Sequence, residues 1–216
     1  MPVIPGSERL LASGRLSGRR VGVVCNPASV DRQLQHIVDR IGASNATLAA
    51  IFGPQHGFRS DVQDNMIETR HGHDEARRVP VYSLYSETRE PTAEMLEGLD
   101  LLIIDLQDVG VRIYTYIYTL ANCLKAARAH GLPVIVCDRP NPIGGAQVEG
   151  MVLVPGFESF VGMFPIPMRH GMTIGEIARL FNDHFGIGAE LEVIPMDGWR
   201  RDMYFDATGL TWIISS

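Results

Sequence analysis

Several signatures that would settle a function at once are missing from this chain. The first apolar run closes on Asn26-Pro27-Ala28-Ser29 and lacks the glycines that let a pyrophosphate approach a helix start. No P-loop occurs, and no Gly-x-Ser-x-Gly nucleophile elbow. Nicotinamide, flavin, ATP and acyl-serine chemistry all lose support, and no cofactor is expected. No apolar stretch reaches the roughly 18 residues that suggest a membrane span. Met1 to Arg20 carries prolines and arginines but no continuous apolar core of a secretory signal. The chain as written is therefore expected in the cytoplasm, or in the periplasm or outside if an upstream start exists. Basic residues are outnumbered, 19 Lys and Arg against 25 Asp and Glu, and no basic stripe is interleaved with aromatics. Nucleic acid is excluded as a partner on that ground. Cysteine is scarce: Cys25, Cys123 and Cys137 lie far apart, two of them at the ends of apolar runs, and read as reduced core residues.

What is present is an alternation of short β-rich runs with helical patterns, the mark of βαβ units. Strands are expected at Val21–Cys25, Thr47–Phe52, Val79–Leu84, Leu99–Leu106, Pro133–Cys137 and Glu190–Ile194. The Leu99–Leu106 run is apolar on both faces and belongs in the sheet centre. Helices are expected over Asp31–Ile41, from Pro91 onward, over Tyr114–His130 with Gly131 as stop, and over Thr173–Phe185 with a Thr173/Glu176 capping box. Gly53 to about His73 reads as a long polar loop. The fold class is α/β: a Rossmann-like, doubly wound, mainly parallel sheet with helices on both faces. Residues 1–195 form this domain, and 196–216 begin a linker.

In such sheets ligands bind beyond the carboxyl ends of the strands. The strand-end loops here are unusually polar. Asn26 follows the first strand. Gln55, His56 and Arg59 follow the second, with Asp61, Asp64, Asn65 and Glu68 further along. Tyr82, Tyr85 and Arg89 belong to the third, and Asp105, Gln107, Asp108 and Arg112 to the fourth. Asp138, Arg139, Asn141 and then Glu149 follow the fifth. Carboxyl groups can supply acid, base or nucleophile for glycosidic cleavage. Arginines bind carboxylates bidentately, and tyrosines offer an apolar face with a polar tip. A basin of these groups suits a sugar. The plainer alternative for Asp105 and Asp138 is capping of the following helices. His71-Gly72-His73-Asp74 has the composition of a zinc site, but a solvated loop cluster is the simpler reading, and no metal is expected.

The motifs at these strand ends resemble a known family. Phe52-Gly53-Pro54-Gln55-His56-Gly57-Phe58-Arg59, Pro80-Val81-Tyr82-Ser83-Leu84-Tyr85 and Arg89-Glu90-Pro91-Thr92 are similar to the DUF1343 family, which contains the NamZ-type exo-β-N-acetylmuramidases. So are the run Asp105 to Tyr116, Asp138-Arg139-Pro140-Asn141-Pro142 with Gly144-Gly145, and Pro165-Ile166-Pro167 with Arg169-His170-Gly171-Met172-Thr173. The likeness extends from Val21 to Trp212. It implies hydrolysis of terminal N-acetylmuramic acid from peptidoglycan fragments, in a cleft between this domain and a smaller C-terminal one. A non-catalytic sugar-binding domain is the alternative.

On that resemblance the catalytic candidates are Gln55, His56, Glu68, Asp105 and Asp108. The substrate-binding candidates are Asn26, Arg59, Gln107, Arg112, Tyr114, Tyr116, Asp138, Arg139, Asn141, Glu149, Arg169 and His170. Arg59, Arg112, Arg139 and Arg169 are the expected partners of the lactyl carboxylate. One motif departs from the family, in which many members read Pro-Glu-His-Gly where this chain has Gln55. An amide cannot exchange a proton as a carboxyl group does, so Glu68, Asp105 or Asp108 supplies the acid, or the activity differs. The Pro-rich continuation is also missing after Trp212, and a truncated reading frame is expected. Trp199, Trp212, Ile213 and Ile214 would then form an exposed apolar patch that favours self-association.

Overall fold

The computed structural model describes residues 2–59, 68 and 70–215. Its strands are β1 (Arg20–Cys25), β2 (Thr47–Gly53), β3 (Gly72–Asp74), β4 (Val79–Ser83), β5 (Leu101–Asp105), β6 (Val134–Cys137) and β7 (Leu191–Ile194). They form one 7-stranded sheet in the order β3-β4-β2-β1-β5-β6-β7. The pairs are parallel, apart from the antiparallel β3–β4 edge. From β1 the chain winds outward through β2 to β4, then crosses back to place β5 on the other side of β1. The crevice between the ends of β1 and β5 is therefore the topological switch point, where ligands of such sheets sit.

Alternation along the strands builds two apolar layers. Val21, Val23 and Cys25 face α1 (Gly6–Ala12) and α2 (Ile37–Gly42), packing with Leu10, Ile37, Val38 and Ile41. Val24, Phe52, Ile104 and Val136 face α4 (Tyr116–His130) and α5 (Ile174–Arg179). The central strand β5 is buried along its whole length, as expected of a strand covered on both faces. A Cβ at Gly22 would lie 2.7 Å from Leu99 Cδ1 and 2.9 Å from Phe52 Cε2, so these side chains would have to shift to admit one. Gly131 ends α4 at φ 63, and the Thr173/Glu176 capping box is formed at α5. Among the described residues, no helix is long and apolar enough to cross a membrane.

Several expected elements come out differently. The helix expected over Asp31–Ile41 is confined to Ile37–Gly42, because Asp31 Oδ1 accepts the N–H groups of Gln33 and Gln35 and folds this stretch into a side-chain-capped turn. Leu34, expected on the apolar face, sits at φ 61 and is 52% exposed. The helix after Pro91 is a single turn, α3 (Ala93–Leu96), whose cap is Thr92, accepting from Met95 N–H. The helix expected from Tyr114 begins at Tyr116. Past Arg179, the last expected helix continues as a π-helical turn over Leu180–His184. The polar loop after β2 ends in a strand, β3, that the pattern did not reveal. Asp61, Asp64 and Asn65 lie outside the described residues.

In the His71–Asp74 cluster, His71, Gly72 and His73 are exposed as expected, and only Asp74 is buried. His71 Nδ1 accepts Ser83 N–H at 3.0 Å, and His73 pairs with Glu75 at 3.3 Å. Asp74 bonds Arg77 at 2.7 Å. The stretch 196–215, expected as the start of a linker, lies along the domain. Ile4 and Asp197 exchange backbone bonds of 2.9 and 3.0 Å, Val3 N–H reaches Thr208 C=O at 2.8 Å, and Gly145 N–H reaches Arg201 C=O at 2.8 Å.

Candidate active site

The parallel order brings the ends of β1, β2, β4, β5 and β6 to one edge. There a cleft of ≈ 950 Å³ opens, lined by Gln55 and His56 after β2, Tyr85 and Arg89 after β4, and Tyr114, Thr115 and Tyr116 at the start of α4. Phe160 and Val161, from the loop between β6 and α5, complete it. Gln55 is positioned by Thr115, whose hydroxyl donates to its Oε1 at 2.9 Å. His56 sits at φ 70, a conformation that turns the chain sharply at the cleft wall. The Arg89 guanidinium lies 3.8 Å from the Tyr85 ring centroid and 5.6 Å from that of Phe160, and donates to Ser86 C=O at 2.5 Å. Glu68 Oε1 stands 3.9 Å from Arg89 Nη1, with its own side chain 58% exposed. Among the described residues, the cleft lining itself contains no carboxylate.

The strand-end aspartates are used inside the protein. Both oxygens of Asp105 are held by Arg139, at 2.6 Å to Nε and 2.8 Å to Nη2, and the pair is buried. Arg139 also donates to Val30 C=O at 3.0 Å. This ion pair ties the ends of β5 and β6 together. Asp108 Oδ2 accepts from Gly110 N–H at 2.8 Å and from His170 Nε2 at 3.1 Å. Met172 N–H donates to His170 Nδ1, so the ring proton sits on Nε2. Asp108 thus fastens the β5 end to the segment before α5. Asp138 Oδ1 accepts Gly175 N–H at 2.8 Å, and its Oδ2 accepts the Thr173 hydroxyl at 3.1 Å. These are bonds to the start of α5, and burial pushes the Asp138 carboxyl up to about 6 in spite of them.

The remaining expected residues divide between framework and crevice. Gln107 Nε2 donates to Asp108 C=O and Pro140 C=O, and Asn141 Nδ2 donates to Met172 C=O at 2.9 Å. Arg112 donates to Met151 C=O at 2.7 Å and Ile166 C=O at 2.6 Å. Arg169 holds Glu149 at 2.7 Å and Gln147 at 2.6 Å. Arg59 turns toward Asp74 at 3.4 Å and lines a second hollow of ≈ 520 Å³ by β3 and β4, which also includes Glu68. Asn26 is fully buried at the end of β1, its C=O bonded to His36 Nε2 at 2.8 Å. The arginine in the cleft is thus Arg89, outside the expected carboxylate-binding set. Its sequence signal was its place after β4 beside Tyr85. Thr115, Phe160 and Val161 carried no such signal.

The mainly parallel sheet, covered by helices on both faces and with an aromatic, polar cleft at its strand ends, puts the chain in the Rossmann-like α/β class. The chain belongs to the family of the N-terminal domain of the exo-β-N-acetylmuramidase NamZ, whose sequence profile matches residues 21–216. It is 49% identical over 203 residues to the peptidoglycan β-N-acetylmuramidase NamZ of Bacillus subtilis (strain 168), covering 94% of this chain and 49% of that protein. A DUF1343 family protein of Bacteroides fragilis NCTC 9343 superposes with a TM-score of 0.91 at 42% identity, covering 100% of this chain and 55% of the other. A second from the same organism gives 0.82 at 30% identity, covering 95% and 55%. The chain spans about half the length of the relatives it matches.

Proposed function

We propose that this chain is the substrate-binding, Rossmann-like part of an exo-β-N-acetylmuramidase that removes terminal N-acetylmuramic acid from peptidoglycan fragments. The observation that carries this reading is the strand-end cleft, with Arg89, Tyr85, Gln55 and His56 on its wall, in a chain so similar to a peptidoglycan β-N-acetylmuramidase. Arg89 pairs with the lactyl carboxylate that distinguishes muramic acid from glucosamine, and its guanidinium is held in place by stacking on Tyr85. Tyr85 and Phe160 present ring surface to the sugar. Gln55 and His56 bind its hydroxyls. Glu68 is the carboxylate of the reaction, because Asp105 and Asp108 are engaged in internal bonds while Glu68 stands beside Arg89 and exposed. Asp105, Asp108, Asp138, Arg139 and His170 position the loops.

The test is release of the aglycone from a chromogenic β-glycoside of N-acetylmuramic acid. Glu68→Gln is expected to lower the rate at least a hundredfold, the scale of a lost acid–base group, while leaving sugar binding intact. An unchanged rate removes Glu68 from this role. Gln55, an amide on the cleft wall that cannot exchange a proton as a carboxyl group does, favours a second reading, a binding domain without turnover. It predicts calorimetric binding of N-acetylmuramic acid with no product formed by the wild-type chain.

A further inference from the structure

Ser215 occupies the switch-point crevice beside the cleft. It is 3% exposed, whereas Trp212 and Ile214 of the same stretch are 44% and 71% exposed, so this stretch inserts into the crevice at Ser215. Its carbonyl accepts from Asn26 Nδ2 at 3.2 Å and from the Tyr116 hydroxyl. Its hydroxyl meets that of Tyr114 at 2.7 Å. Asn26 and Tyr116 are buried to 0% and 1% exposure, so packing aims both donors. Asn26 is fixed by the His36 contact to its carbonyl and by its own N–H bond to Ser29 Oγ at 2.9 Å. Tyr116 opens α4, and its ring meets that of Tyr114 edge-on at 4.7 Å. Both tyrosines also line the ≈ 950 Å³ cleft, which makes the crevice its inner end.

Two buried side-chain donors converging on an amide carbonyl, with a third polar group for an adjacent hydroxyl, make a recognition pattern for an acylamino sugar. We propose that Asn26 and Tyr116 form a subsite for the carbonyl of a sugar's N-acetyl group, with Tyr114 taking a neighbouring hydroxyl, and that Ser215 fills this subsite until the sugar displaces it. The proposal rests on the reading of the cleft as a muramic-acid site and adds what selects the acetylated form. Binding and movement of residues 211–215 are then coupled: the sugar and the stretch compete for the same donors, and an unlatched stretch favours the sugar.

The experiment titrates the full chain with N-acetylmuramic acid and with de-N-acetylated muramic acid by calorimetry, while hydrogen exchange reports on the amides of residues 211–215. The acetylated sugar is expected to bind about tenfold more tightly, on the scale of one or two hydrogen bonds, and to speed exchange across 211–215. Ser215→Ala removes the contact to Tyr114, weakens the occupant and raises affinity for the acetylated sugar about threefold. Tyr116→Phe erases most of the preference for the acetyl group. Those opposite signs are not expected of residues that only hold a strap in place. Equal binding of the two sugars, or exchange at 211–215 that is unchanged or slowed, overturns the proposal. Should Tyr116→Phe fail to fold, Ser215→Ala and the wild-type exchange decide. If neither acid binds, the muramic-acid reading fails by itself. The subsite then stands only if N-acetylglucosamine, and not glucosamine, speeds exchange at 211–215, and falls otherwise.

Discussion

Asp105 is the residue whose role the folded geometry most alters. From its place at the end of an apolar strand it is a candidate acid, but Arg139 occupies both of its oxygens in a buried pair. Removing one partner leaves a buried charge uncompensated, a loss of about 3–5 kcal/mol. Asp105→Asn is therefore expected to lower the urea midpoint strongly, and any fall in activity should track the unfolded fraction. A variant as stable as wild type but inactive would return Asp105 to the chemistry. Asp138 gives a pH signature. Its folded-state value of about 6 lies above the ordinary 3.8, so the folded protein holds the proton more tightly than the unfolded chain. The stability it contributes is complete below about pH 4 and is lost as pH rises toward about 6. Denaturation measured from pH 4 to 7 should show Asp138→Asn lacking that part of the wild-type decline; parallel curves would contradict the assignment.

At the scale of elements, the sequence was legible where local signals were strong and tertiary context agreed with them. The parallel strands, the Gly131 stop and the Thr173/Glu176 capping box were all foreseen, because each is written in a few contiguous residues. The helix expected over Asp31–Ile41 is shortened to Ile37–Gly42, because Leu34 fits a 3.6-residue period by number alone. A carboxylate three residues earlier captures the backbone N–H groups and ends that period. Because Leu34 lies exposed at φ 61, Leu34→Gly is expected to stabilise the protein by about 1 kcal/mol, read by thermal denaturation. A helical Leu34 would instead make the same change destabilising. Thr173→Ala, which loses both the cap and the bond to Asp138, should cost about 1–2 kcal/mol, read by thermal denaturation. The strand β3 was illegible because an edge strand of this length is defined by its partner β4 and not by its own pattern. The same holds for the site. Strand-end loops could be listed from sequence, but which side chains turn into the cleft and which bond one another was decided by contacts far apart in the chain, such as Asp108 with His170 and Asp105 with Arg139.

At the scale of the whole molecule, a sheet that collects its loops at one edge places an arginine and several aromatics around a common cleft. Exposed apolar side chains include Met151 at 77%, Phe157 at 73%, Ile214 at 71%, Val148 at 62% and Trp212 at 44%. Trp199 and Ile213, also expected in an apolar patch, are half-buried. Surface of this kind favours association, so sedimentation velocity should show the weight-average mass rising with concentration. A concentration-independent monomer would count against it.

On the function proposed, the cleft reads the lactyl carboxylate of N-acetylmuramic acid through Arg89. Isothermal titration with N-acetylmuramic acid and N-acetylglucosamine, for wild type and Arg89→Ala, tests it most directly. Wild type is expected to prefer the muramic sugar at least about tenfold, as a charge-assisted bidentate contact allows, and Arg89→Ala to bind the two sugars alike. Equal affinities in wild type, or a preference that survives the loss of Arg89, would contradict it.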